Sequence, residues 1–198
     1  MEKNAFSLQR MRENARIQPM QGGSGWLRLA IFYCTIFGAA FCITCLYHGM
    51  RGIMRLGGMV ASGGPYVIEH PAPSWVWIMP VSVLLGMACF FINLFSSDPE
   101  GVNLMPLAWP GLFLSLGWNF LEFTFNPPGG GLAWGWLICG VVFVLMGGLP
   151  LLLAFKAARN KIRLRLQNGA GIGPYLGQWL LVAAGVVLGI SFFNRVVY

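Results

Sequence analysis

Charged side chains are scarce in this sequence: Asp, Glu, Lys and Arg make up 10% of its 198 residues, against about 25% in a soluble globular domain. With 57% hydrophobic residues and a mean hydropathy of +0.66, that shortage excludes an ordinary soluble fold and leaves the membrane class. Histidine is scarcer still. His48 and His70 are the two present, and both fall at or beyond the ends of apolar segments, so they cannot face each other inside a bundle to ligate haem. HExxH, a P-loop, GxSxG and any paired acidic motif on a helix are missing, which turns the reading away from hydrolytic and redox enzymes. No cofactor and no metal is expected.

Cysteine is confined rather than missing. Cys34, Cys42, Cys45, Cys89 and Cys139 all lie inside apolar runs, where a thiol behaves as a small hydrophobe. Cys42 and Cys45 form a CxxC, but without an exposed loop or a second pair, helix packing explains them better than metal or redox chemistry.

What is present is a series of long apolar runs, at about 29–47, 75–95, 104–125, 134–155 and 178–193. Each approaches the ~20 residues that a helix needs to cross a bilayer. They predict an all-α polytopic membrane bundle of five transmembrane helices. A four-helix version without the last run is the alternative, because that run is short unless Tyr175 to Gly177 extend it. The first run is too long for the h-region of a cleavable signal, and no small-x-small site follows it. Pro150, beside Gly147 and Gly148, is expected to kink the fourth helix. Trp75 and Trp77 open the second, at the depth where indoles favour the headgroup boundary.

Orientation follows from Lys and Arg, which are retained on the cytoplasmic side of spanning helices. A polar tail over 1–25 and a basic loop over 156–177 are assigned to that side. They and Arg28 bring Lys3, Arg10, Arg12, Arg16, Lys156, Arg159, Lys161, Arg163 and Arg165, whereas Arg51, Arg55 and Arg195 fall opposite. The N-terminus is therefore cytoplasmic. The longest outer loop, 48–74, is broken by Ser62-Gly63-Gly64-Pro65-Tyr66 and His70-Pro71-Ala72-Pro73, though its first residues can continue the helix. The net charge of +7 is explained by topology, so no nucleic-acid partner is expected.

Glu122 is the one acidic side chain embedded in an apolar run, and Ser115, Asn119 and Glu122, spaced four and three, share a helical face. An ionisable group at membrane depth is a candidate for function. One reading makes the three a cation, proton or substrate site at an outer mouth. The other pairs Glu122 with Arg51 or Arg55, which topology puts on the same side. Asn93 is expected to donate a hydrogen bond between helices. Gly185 and Gly189 form a GxxxG, with Ser82/Gly86 and Gly111/Ser115 as weaker cases; these serve packing within the chain or self-association. The cations Lys156, Arg159, Lys161, Arg163 and Arg165 either fix topology alone or dock lipid headgroups or a partner.

The runs show no inverted repeat of the kind found in many secondary transporters. Three functions remain in order of preference. The first is a non-enzymatic integral subunit that anchors or stabilises a larger membrane assembly. The second is a small oligomeric channel or transporter using Glu122, Asn119 and Ser115. The third is a membrane-embedded enzyme or lipid-handling protein using Glu122 with His48 or His70. Membrane lipids, other membrane subunits or further copies of the chain are the expected partners, and a bacterial inner membrane is the expected location.

Overall fold

The computed structural model describes residues 25–56, 72–96, 103–127, 130–169 and 171–197. The expected tail, His70 with most of the outer loop, and residues 97–102 lie outside them. Among the described residues all regular structure is helical: α1 (Gly25–Arg55), α2 (Ile78–Phe95), a 3-10 turn (Met105–Leu107) leading into α3 (Ala108–Phe125), α4 (Trp134–Gln167) and α5 (Gly173–Val197). An apolar chain in lipid has no water for its backbone groups, so each segment must close its hydrogen bonds internally, and the helix does so.

The helix ends follow local chemistry. Ser96 closes α2, its backbone N–H and its hydroxyl both returning to Ile92 O, at 3.0 and 2.7 Å. The side chain of Asn103 accepts from Met105 N at 2.8 Å and so opens the 3-10 turn. Between α3 and α4 the chain reverses with Gly130 and Gly131 at φ 74° and 81°, a backbone region open to glycine. Ala133 N then bonds back to Thr124 O at 3.1 Å, which ties the two helices together at the turn.

α1 is the hub. It packs against α2, α3 and α5, while α4 packs on α3. The directions alternate: Asn93 meets Phe32 and Thr35 near the start of α1, and Met79 and Trp75 meet Gly49 and Gly52 near its end, so α2 is antiparallel to α1. α3 and α5 run parallel to α1 and α4 runs antiparallel to α3. Four helices, α1, α2, α4 and α5, are long and apolar enough to cross a membrane. The fifth, α3, has 18 residues and lies beside α1 at the same depth.

Several expectations are corrected. The segment 156–177 is not a loop: α4 continues through all five cations to Gln167 and leaves only 168–172 as the connection. Lys, Arg, Leu and Ala are good helix formers and no breaker intervenes before Asn168 and Gly169, so the edge of the bilayer does not end the helix. The last run is not the weakest, since α5 reaches 25 residues; the marginal helix is α3. Trp75 is no headgroup anchor but 8% exposed, its ring edge-on to Phe193 at 5.5 Å and seated over Gly52.

Glycines set the closest helix contacts. A Cβ on Gly185 would stand 2.7 Å from Phe37 O, and one on Gly189 would stand 2.9 Å from Thr44, so this GxxxG serves α5 against α1 within the chain. Gly117 on α3 meets Val144 and Gly140 of α4, while Gly147 meets Pro110 and Leu114. The heptad spacing of Gly140 and Gly147 was the signal for that interface. Gly111, by contrast, faces open space.

Candidate functional site

The polar side chains gather at two levels. At one end of the bundle, Arg51 near the end of α1 forms a two-pronged ion pair with Glu122 near the end of α3. Their side chains are 20% and 30% exposed. Arg51 also reaches the Tyr47 hydroxyl at 3.4 Å and stands 5.7 Å from the centre of the Phe123 ring. Arg55, one turn further on, is exposed and is not Glu122's partner. A guanidinium and a carboxylate in fork geometry satisfy each other's directional bonding, which makes the pair tolerable at a lipid boundary.

Asn119 and Ser115 are not part of this pair. Asn119 is fully buried and donates from Nδ2 to Tyr47 O at 3.1 Å, while its Oδ1 has no hydrogen-bond partner. Ser115 returns its hydroxyl to Leu112 O of its own helix at 2.8 Å. Of the three expected pathway residues, which share a helix, only Glu122 enters the ion pair. His48 stacks obliquely on Phe193 at 5.7 Å and edge-on to Tyr47 at 5.1 Å, in an aromatic cluster rather than beside Glu122.

At the opposite end the structure assembles a buried amide cluster, of which sequence reasoning named only Asn93. Asn93 Nδ2 donates to Thr35 Oγ1 at 2.9 Å, and its Oδ1 accepts from Asn103 Nδ2 at 2.7 Å. Gln178 at the start of α5 accepts at Oε1 from Leu104 N, 2.9 Å away. Asn93 and Gln178 are each 1% exposed, so α1, α2, the 3-10 turn and α5 are joined by buried and part-buried hydrogen bonds. An amide opening an otherwise apolar run was the available signal for Gln178.

Two apolar clefts flank the α1–α3 seam, of about 310 and 320 Å³. The first has α4 and α5 as walls, and the second lies between α2 and α3. Neither is lined by Glu122, Asn119 or Ser115. Beyond the first cleft, the end of α4 carries Lys156, Arg159 and Arg163 on one stripe, spaced three and four, with Lys161 and Arg165 around the other side.

Cys42 faces Gly86 of α2, whereas Cys45 approaches Gly189 O of α5 at 3.9 Å. All five cysteines are free. Among the described residues no group of three or more His, Cys, Asp or Glu side chains is placed to hold a metal ion. Comparison with known protein families, curated proteins and solved structures gave no match.

Proposed function

We propose that this chain is a non-enzymatic integral membrane subunit that anchors or stabilises a larger membrane assembly. It crosses a bacterial inner membrane five times with its N-terminus in the cytoplasm. The observation that supports this reading is the internal pairing of most of its embedded polar groups, Asn119 Oδ1 excepted: Arg51 with Glu122, Asn93 with Thr35 and Asn103, and Gln178 with Leu104 N. A channel needs polar groups turned toward a shared aqueous path, and the two clefts beside the hub are apolar. α4 meanwhile packs chiefly on α3 and leaves Leu145, Leu149, Leu152 and Leu153 exposed, a long surface for the helices of other subunits. Arg28 and the five cations of α4 belong to the same end of the bundle, which supports the orientation.

Native mass spectrometry of the full chain, extracted in mild detergent from its own membrane, tests the proposal. A defined hetero-complex is expected. A homo-oligomer alone, together with cation flux in liposomes that Glu122→Gln abolishes, would replace this reading with the channel.

A further inference from the structure

The basic end of α4 and the apolar cleft beneath it meet at a single side chain. Phe155 lines the cleft between α4 and α5, and it also borders the trough on the protruding helix formed with Lys156, Arg159 and Arg163. The cleft runs along α1 from Ile36 to Thr44, roughly 12 Å at 1.5 Å per residue. It opens sideways because α4 and α5 form no packed interface with each other. Its floor and walls are apolar, apart from the Thr44 hydroxyl, which is returned to Ala40 O. At its inner mouth stand Trp179 of α5, Leu104 of the 3-10 turn and Phe155. Directly beyond that mouth come the three cations.

α4 itself fixes their level. From Trp134 to Phe155 the helix rises about 32 Å, close to the ~30 Å of a hydrocarbon core. Lys156 therefore stands at the boundary, Arg159 about 4.5 Å further out and Arg163 about 6 Å beyond that, within and just above the layer of lipid phosphates. The trough contains no carboxylate, so its positive charge is not answered from within. Arg is suited to phosphate oxygens through paired N–H donors, and Lys supplies a point charge. The long stems of all three can lie along Phe155, Ile162 and Leu166 while their heads stay in the polar layer.

We propose that this is a binding site for one anionic glycerophospholipid: an acyl chain lies in the α1/α3/α4/α5 cleft and the phosphate sits on Lys156, Arg159 and Arg163. The charge of the trough selects an anionic headgroup, and the continuity through Phe155 joins headgroup and chain subsites into one. The site requires only that α4 crosses the bilayer, and it stands whether or not the chain has protein partners.

Titration of the purified full chain with phosphatidylglycerol or phosphatidylcholine, read by native mass spectrometry, is the test. Phosphatidylglycerol is expected to be retained more tightly. Arg159→Gln and Arg163→Gln should each weaken it about five-fold, the effect of removing one surface cation, while Lys161→Gln on the other side should leave it within about two-fold. Gly111→Leu should weaken phosphatidylglycerol too, since Gly111 lines the cleft and a Cβ there has nothing within 4 Å. Equal retention of the two lipids would overturn the proposal. So would a Lys161→Gln loss as large as that of Arg163→Gln, which would reduce the effect to diffuse charge. Unchanged binding in Gly111→Leu would remove the acyl chain from the cleft and with it the joined site.

Discussion

Arg51 and Glu122 show how far a residue-level reading carries. Topology puts Arg51 and Arg55 on the side of Glu122, and the structure pairs Arg51 because it shares a face with Tyr47 and stands level with the last turn of α3. Helical phase between two separate elements makes that choice, and no local pattern encodes it. Replacing Glu122 with Gln leaves a guanidinium half-buried without its counter-ion. Thermal unfolding in detergent should then show a loss of about 1–2 kcal/mol, between the values for exposed and buried pairs. The swapped double variant, Arg51→Glu with Glu122→Arg, should recover part of it. Equal stability of Glu122→Gln and the native chain would show that the pair contributes nothing. The amides at the opposite end are expected to behave alike: Asn93→Leu deprives Asn103 and Thr35 of a partner and should cost about 0.6–1.7 kcal/mol, from the average to the largest value measured for such bonds in membranes.

Element existence was legible from apolar run length, and the five helices stand where the runs do. Their ends were less so. The sequence marks helix ends by Gly, Pro and capping side chains, and the reading of 156–177 as a loop used charge instead, which stops no helix. Close contacts were legible only where a familiar spacing occurred. Gly185 and Gly189 do approach α1, but Gly111 brings no helix near, and the heptad-spaced Gly140 and Gly147 form the tight seam with Gly117. Their roles separate by substitution. Gly117→Val would drive a side chain into Val144 and its backbone N, 2.9 and 3.1 Å from a Cβ, and should destabilise by about 1–3 kcal/mol as overpacking does. Gly135→Ala meets open space and should leave the melting temperature unchanged or slightly raised, since Ala is the better helix former. Comparable melting curves for the two would contradict the seam.

Among the described residues, the arrangement is a central first helix with three neighbours and a fourth helix packed chiefly on α3. The alternation of directions sends α1 and α5 the same way, so their C-terminal ends emerge together. In a chain whose native cysteines are replaced by Ala, a cysteine at Asn194 should react with an impermeant maleimide added outside intact cells. One at Asn160 should react only after the membrane is opened. The reverse pattern would invert the bundle.

Placing the hub first has a consequence for synthesis. Arg51 leaves the ribosome 71 residues ahead of Glu122, which at ~5–20 residues per second is a delay of roughly 4–14 s. Throughout that interval the nascent α1 carries a cation whose eventual counter-charge has not yet been translated. Its early survival must rest on water, headgroups or the insertion machinery, and lateral release of the finished helix set awaits the arrival of α3.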